Sequence, residues 1–454
     1  MIEIPSDFQR FFEENKEGDW IFHAVPVEDG IHPSNTEISI FFIGNISTGK
    51  TYYYSCNHPD SIPQIRFRFF LSHMLHKMSN KTRRRWALDA KSFFQLLPIS
   101  GVLDANLCGF LKDNEILELS DYDTSAHHLI RKNSGGLGQV NRAIPLMKHK
   151  ESFDDLCDDM KGMIRKFEVD DSFTRFNDLI IHTLGNIEKN GIYVDAATFE
   201  KHFNQKPNDK GLVFSQYNVY TSTGRPSNRF GGVNYAALNH KDGSRSSFVS
   251  RYGKDGCMVV IDYTAFHPRI ICNLTDYPIP VETDIYEYLA KLYFQKKEAD
   301  ETDITNAKLL TFRQLYGGVE EKYAHIKYLA NLKMYIDEKW DFFQKNGYVP
   351  TPIFGRKITD KHIQDPNPAK LFNYILQAVE GEVSIPKVQT VLDYLHMKKT
   401  KAVLYTYDAV LYDFHRDDGI ETLREIRNIM SSNGAFPMKT YMGHSYHDVR
   451  LVSI

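Results

Sequence analysis

Two aspartates that end apolar segments are the first residues whose positions suggest chemistry. Asp262 ends CMVVIDY (257–263), a pattern that predicts a buried strand, and Asp408 divides VLYTYDAVLYDF (403–414), a pattern that predicts a β-hairpin with the carboxylate at its turn. Two carboxylates at adjacent strand ends can hold two Mg²⁺ ions about 4 Å apart and so serve phosphoryl transfer. Taken alone, an aspartate at a strand end is most often a turn residue.

A third element strengthens the functional interpretation. The segment TNAKLLTFRQLYG (305–317) predicts a helix on which Lys308, Phe312 and Tyr316 form one stripe at i, i+4 and i+8. A cation followed by two aromatic rings is suited to contact a triphosphate, then a sugar and a base. The alternative is an ordinary helix that buries the two aromatic residues and exposes the lysine.

The order of these elements resembles that of family A DNA polymerases over residues 182–454. Residues 262–269 resemble motif A, residues 308–317 resemble motif B of the fingers helix, and Tyr407-Asp408 resembles the motif C pair with Tyr in place of His. Flanking segments follow in the family's order: TGRPS (223–227), DIY (284–286), GYV (347–349), FGR (354–356) and the pair Asn373 and Gln377.

The resemblance implies a template-directed DNA polymerase that extends a primer 3′ end by two-metal phosphoryl transfer, in replication of phage or viral type. Its implied catalytic residues are Asp262, Asp408 and Lys308, and the two aspartates would bind two Mg²⁺ ions, for which Mn²⁺ could substitute. The implied nucleotide-binding residues are Lys308, Phe312, Tyr316, His267 and Tyr263. The implied DNA-binding residues are Arg225, Asn234, Arg269, Arg356, Asn373, Gln377 and Tyr407. The implied partners are a DNA primer–template, dNTPs and a processivity factor.

Four positions depart from the family pattern. Ile304 replaces a triphosphate-binding arginine, and His267 replaces the motif A glutamate that excludes the ribose 2′-hydroxyl. Ala409 replaces an auxiliary glutamate, and Ala369 replaces an arginine that precedes Asn373. An imidazole is bulky enough to remain a gate, but it lacks the carboxylate's hydrogen bond and titrates near neutral pH. These losses motivate the alternative of a weak or inactive, polymerase-shaped protein that binds a primer–template.

The fold class expected from the resemblance is a multidomain α+β protein. Residues 1–160 are expected to form a ribonuclease-H-like α/β domain related to 3′–5′ exonucleases. Its metal positions fall on Val25, Val27 and Phe93, which predicts a degenerate domain without proofreading. If the alignment with the exonuclease is shifted so that Glu28 and Asp29 take the ligand positions, one pair of metal ligands is restored. A nuclease that uses this domain is therefore a third interpretation.

The polymerase domain is expected over residues 161–454, with the palm over 223–283 and 346–454 and the fingers over 284–345. The segment GIYVD (191–195) is followed by Thr223 after only 27 residues. This spacing leaves little room for a thumb, so residues 161–222 are expected to form a shortened one.

Composition bounds these interpretations. At 454 residues the chain should hold two to three domains. A net charge of −3 excludes a uniformly basic nucleic-acid coat, although the basic run at 76–85 suits either a solvated face or a phosphate contact. Five well-separated cysteines favour a reducing compartment. No signal-peptide pattern or long apolar run occurs, so we expect no membrane contact and a cytoplasmic location, in the host if the chain is phage-encoded.

Overall fold

The computed structural model describes residues 10–11, 13–15, 17–28, 30, 32–60, 84–134, 138–228 and 233–454. These residues fall into two compact units, Met1–Lys189 and Asn190–Ile454. The expected domain boundary at residue 160 falls inside the helix Leu146–Lys166. The assignment of exonuclease-like, thumb, palm and fingers ranges stays a prediction.

The first unit is built on a five-stranded mixed sheet in the order β3-β2-β1-β4-β5. Its strands are β1 (Trp20–Pro26), β2 (Ile38–Asn45), β3 (Thr51–Ser55), β4 (Arg85–Ala87) and β5 (Val102–Asp104). Strands β1 to β3 are antiparallel neighbours, whereas β4 lies parallel to β1 and to β5. In the sequence, short apolar runs alternate with turn residues between positions 19 and 58, a pattern that predicts three strands, and β1, β2 and β3 confirm it.

The helices of the first unit cover this sheet. They are α1 (Ala90–Leu96), α2 (Ala105–Asp113), α3 (Ser125–Ser134), α4 (Val140–Ala143), α5 (Leu146–Lys166) and α6 (Asp171–Asn190), the last ending one residue past the division between the units. The core between sheet and helices is rich in aromatic side chains, among them Trp20, Phe22, Phe41 and Phe93. Because so many rings lie inside, the high aromatic content of the sequence is largely accounted for by packing.

The positions onto which the resemblance places the metal ligands of an exonuclease are buried, and Phe93 belongs to this core. Val25, Val27 and Phe93 are all buried. Asp104 is fully buried, and its carboxylate accepts hydrogen bonds from the backbone N–H groups of Ala90 and Leu107 at 2.8 Å each. Asp104 therefore caps α2, as an aspartate does at a helix N-terminus.

The second unit is built on a five-stranded antiparallel sheet in the order β13-β14-β10-β15-β16. These strands are β10 (Gly256–Tyr263), β13 (Lys401–Tyr405), β14 (Ala409–His415), β15 (Met438–Gly443) and β16 (Arg450–Val452). Three two-stranded ribbons accompany it: β6 (Ile192–Tyr193) with β7 (Leu212–Val213), β8 (Tyr217–Asn218) with β9 (Ser227–Asn228), and β11 (Tyr348–Pro350) with β12 (Lys357–Thr359).

The helices of the second unit are α7 (Ala196–Phe203), α8 (Phe266–Leu274), α9 (Ile285–Phe294), α10 (Glu301–Gly317), α11 (Lys327–Asn346), α12 (Pro368–Tyr394) and α13 (Ile420–Ser431). The largely helical segment expected over 284–345 is thus confirmed as α9, α10 and α11. Helix α12 packs against α8, α10, α11 and α13, so it is the central helix of the unit. Within the described part of the chain, no helix is long and apolar enough to cross a membrane.

Candidate active site

The central sheet of the second unit brings Asp262 and Asp408 together. In the antiparallel pairing of β10 with β14, Asp262 lies opposite Ala409, the residue that follows Asp408. The backbone N–H of Tyr263 donates to the carbonyl of Asp408 at 2.9 Å. The strand end and the hairpin turn expected from the sequence are both present, and they place the two carboxylates at one edge of the sheet.

The hairpin turn that carries Asp408 is tight and locally strained. The N–H of Thr406 donates to the carbonyl of Ala409 at 2.8 Å, so only two residues form the turn. One of them, Tyr407, has a φ of +79°, which is uncommon for a residue with a side chain. The centroid of its ring lies 3.8 Å from the guanidinium carbon of Arg225. Contacts around the turn thus hold a conformation that projects Asp408 outward.

Both carboxylates have raised pKa values. Partial burial, followed by the charge of Asp408, raises the pKa of Asp262 to about 7, although Lys439 and Lys308 act in the opposite direction. Burial, followed by the charge of Glu380, raises the pKa of Asp408. A site that disfavours two negative charges is one that a bound cation would stabilise.

Helix α10 presents the expected stripe of Lys308, Phe312 and Tyr316. The rings of Phe312 and Tyr316 stack at a centroid distance of 5.9 Å, and the ammonium of Lys308 lies 5.7 Å from the ring centroid of Tyr286. Lys308 is exposed, Tyr316 is 40% exposed, and the buried face of α10 is formed by other residues. The stripe is therefore not an ordinary core face, which favours a binding surface.

His267 connects this stripe to a buried acid. Its Nδ1 lies 2.7 Å from the hydroxyl of Tyr316, and its Nε2 lies 3.2 Å from Oε1 of Glu380 on α12. The other carboxylate oxygen of Glu380 lies 2.7 Å from Nε of Arg225. The site therefore contains a continuous chain of polar contacts from α10 to the Asp408 turn.

A solved structure has the same fold. The POL domain of Pol1 from M. smegmatis, in a complex with DNA primer-template and dNTP, is similar to this chain with a TM-score of 0.72 and 15% sequence identity. The similarity covers 98% of this chain and 99% of that one.

The chain has the fold of that POL domain.

The polymerase fold expected from the motifs is therefore confirmed. No family model matches the sequence, and no curated protein sequence matches it either.

Two arginines expected at the DNA, Arg269 and Arg356, are buried residues with partners inside the protein, and their assignment to DNA binding stays a prediction. Arg269 is 6% exposed, and its guanidinium donates to the main-chain carbonyls of Ile279, Pro280, Val281 and Thr283. Arg356 is 5% exposed, pairs with the buried Glu382 and donates to the carbonyl of Thr223 at 2.8 Å. The resemblance placed both at the DNA by their positions in the motifs, and a motif position does not reveal burial.

Of the other residues predicted to bind nucleotide or DNA, some lie at the surface and others in the interior. The side chain of Tyr263 is buried and donates to the carbonyl of Met430, so only its main chain can serve a nucleotide. Asn234 is exposed, and Gln377 is half-buried on α12. Asn373 donates to the carbonyl of Tyr316 at 3.0 Å, which ties α12 to the end of α10. Of the basic run, residues 76–83 lie outside the described residues.

Two charged residues of the site were missed by sequence reasoning. Glu380 is one, and Lys439 is the other, which lies opposite Asp262 in the pairing of β10 with β15. Lys439 is exposed at the edge of the sheet and lowers the pKa of Asp262. Neither belongs to a motif, so only the strand register and the helix packing reveal them.

The donor set at the sheet edge fits Mg²⁺. Mg²⁺ is usually held by one or two carboxylates together with water and substrate phosphates. Asp262 and Asp408 provide that pair, and the raised pKa of each shows that added positive charge would be favourable. In the ranges that the structure covers, no group of three or more His, Cys, Asp or Glu side chains could form an all-protein metal cage.

Proposed function

We propose that the chain is a DNA-directed DNA polymerase that adds deoxynucleotides to the 3′ end of a primer paired with a template. The observation that carries the proposal is the joining of Asp262 and Asp408 at one sheet edge, next to the exposed stripe of Lys308, Phe312 and Tyr316. The charge of Lys308 acts on Asp262, which supports their facing one substrate. The shared fold with a POL domain that binds DNA primer-template and dNTP agrees with it.

Each residue of the site has a role in this proposal. Asp262 and Asp408 would hold two divalent ions such as Mg²⁺, which would supply activation of the primer 3′-hydroxyl and neutralisation of charge on the triphosphate. Lys308 pairs with the phosphates, and Phe312 and Tyr316 pack against the sugar and base. Arg225, stacked on Tyr407, supports the primer end beside Asp408.

Three finer statements belong to the same proposal. The first unit is a degenerate exonuclease-like domain without proofreading, supported by the buried apolar side chains of Val25, Val27 and Phe93. Residues 161–222 form a shortened thumb, supported by the 27 residues between GIYVD and Thr223. A chain with a short thumb should need a processivity factor, as expected of a replicase of phage or viral type.

The proposal is tested by extension of a labelled primer–template with dNTPs and Mg²⁺. Asp408→Asn should reduce the extension rate at least about 100-fold, because the amide is a poor ligand for a hard cation. The matched control is Asp417→Asn, which neutralises an exposed aspartate just beyond β14 and should leave the rate unchanged.

Two results would overturn the proposal. Primer extension without a divalent metal would show that Asp262 and Asp408 do not act as metal ligands. Tight primer–template binding by wild type without any extension would establish the alternative, a polymerase-shaped binding protein.

A further inference from the structure

Glu380 is a buried carboxylate at the centre of the candidate site, and no motif assigned it. It lies on α12 and is 2% exposed. Its two oxygens face different basic side chains, with Oε2 2.7 Å from Nε of Arg225 and Oε1 3.2 Å from Nε2 of His267. A carboxylate this deeply buried is retained only when partners offset the loss of its hydration. Glu380 and its two partners therefore fix one another in place.

On one side, this contact fixes the ring of His267. One ring nitrogen lies beside Glu380, and the other lies 2.7 Å from the hydroxyl of Tyr316. An imidazole with a hydrogen bond at Nδ1 and a carboxylate beside Nε2 is restricted in its orientation. The ring thus stands against Tyr316 of the aromatic stripe, near enough to Asp408 to interact electrostatically with its carboxyl.

On the other side, Glu380 holds Arg225 above the hairpin turn. The guanidinium of Arg225 lies 3.8 Å over the ring of Tyr407, the residue before Asp408. Glu380 is therefore connected to both halves of the site: to the turn that carries a metal-binding aspartate, and to the stripe that faces the nucleotide.

The spacing of the stripe indicates which part of a nucleotide meets His267. Successive positions on the stripe are four residues apart, about 6 Å along the helix. With the triphosphate between Lys308 and the two aspartates, the sugar reaches Phe312 and Tyr316, where His267 stands. A ribonucleotide differs there from a deoxynucleotide by one hydroxyl, so a fixed ring can exclude it whereas a loose ring cannot.

We propose that Glu380 is a positioning residue for sugar selection: it locks His267 against Tyr316, so that the imidazole blocks the 2′-hydroxyl of a ribonucleotide. This inference rests on the proposed polymerase function and deepens it. The acid that supports the gate comes from α12 rather than from position 267. Selection is therefore a property of the pair, and neither residue provides it alone.

The test is single-nucleotide incorporation of dCTP and of CTP opposite a template guanine. Removing the charge in Glu380→Gln should lower the ratio of the two kcat/KM values by roughly tenfold or more, the range of one charge-assisted contact. The change should arise mainly from improved use of CTP. Glu380→Asp keeps the charge and should retain most of the selectivity. The control Glu421→Gln neutralises an exposed acid on α13 and should leave the ratio unchanged.

A double-mutant cycle separates positioning from general structural damage. In a His267→Ala background the gate is already absent, so adding Glu380→Gln should not lower the ratio further. Additive losses would overturn the proposal. If Glu380→Gln does not fold, as judged by thermal unfolding, His267→Ala and Glu380→Asp still decide it, because the first should lose selectivity and the second should keep it.

A binding measurement distinguishes failure of this inference from failure of the proposed function. The binding of dCTP and CTP is measured on a complex whose primer ends in a dideoxynucleotide, so that no chemistry is required. If wild type binds dCTP and extends primers but Glu380→Gln keeps the full ratio, only the inference fails. If wild type neither binds dCTP nor extends primers, the proposed function fails and the inference with it.

Discussion

Lys387 offers a quantitative test of the packing behind the candidate site. It lies on α12, and its ammonium is buried and has no hydrogen-bond partner among the residues that the structure describes. The ammonium faces the rings of Phe436 and Tyr263, at 4.4 Å and 5.7 Å from their centroids. Burial lowers the pKa of Lys387 to about 8. Replacement by methionine keeps most of the volume and removes the charge, so Lys387→Met should stabilise the protein at neutral pH.

The magnitude follows from the pKa. A shift from 10.5 to about 8 corresponds to about 3.4 kcal/mol at pH 7, because one pKa unit is about 1.36 kcal/mol. The contact with Phe436 offsets about 1 kcal/mol as a cation–π interaction, which leaves a gain of about 2 kcal/mol. Between pH 8 and 10.5 the unfolded chain keeps the proton while the folded chain releases it, so wild-type stability rises with pH in this window. The advantage of the variant should therefore fall below about 1 kcal/mol at pH 10.

The assay is urea unfolding of wild type and Lys387→Met at pH 7 and pH 10. The control is Lys345→Met, which removes an exposed lysine on α11 and should change stability by less than about 0.5 kcal/mol at either pH. A variant that is less stable than wild type at pH 7, or an advantage equal at both pH values, would refute the reasoning. Such a result would mean that the cation contributes net stability among the aromatic rings.

Two further predictions concern the charged residues of the second unit. Without metal, Asp262 has a pKa of about 7, so a proton competes with Mg²⁺ for this carboxylate at lower pH. The affinity for Mg²⁺, measured by calorimetry, should therefore increase about tenfold for each unit by which the pH is raised toward 7, and should level off above pH 7. An affinity that does not depend on pH, or a pH dependence that Asp262→Asn leaves unchanged, contradicts this prediction. Arg356→Met leaves Glu382 buried without its cation, so the free energy of unfolding measured with urea should fall by about 3–5 kcal/mol. Adding Glu382→Leu removes the unpaired charge and should recover most of this loss. Primer–template binding measured below the unfolding range should be unchanged in the Arg356→Met/Glu382→Leu pair, whereas weakened binding would restore a DNA role for Arg356.

The parts of the site that the sequence predicts are those with local patterns. An apolar run that enters an aspartate predicts a strand end, and two such runs around Tyr407-Asp408 predict a hairpin turn; both are present. The helical stripe that begins at Lys308 is likewise a matter of spacing along one element. In each case the residues that define the feature lie within about a dozen positions of one another, so periodicity is sufficient.

The parts that sequence reasoning missed depend on contacts between distant segments. Arg225 and Arg356 are the same residue type in similar motifs, yet one stacks on the turn and the other is enclosed with Glu382. Their difference arises from burial, which residue type does not reveal. Glu380 is 155 positions from Arg225 and 113 from His267, so no local pattern could connect them.

The site contains three carboxylates, those of Asp262, Asp408 and Glu380, and the charges around them indicate why cations would bind at the two aspartates. Glu380 contacts Arg225 and His267, and its charge also raises the pKa of Asp408, which makes a cation at Asp408 more favourable. Asp262 and Asp408 remain as the carboxylates at the sheet edge that carry raised pKa values. Lys308 and Lys439 act on Asp262 from two sides, and a triphosphate that reaches Lys308 brings further negative charge toward the metal ions. In the inference proposed above, Glu380 orients the ring of His267, and Asp262 and Asp408 are the carboxylates left to bind metal ions.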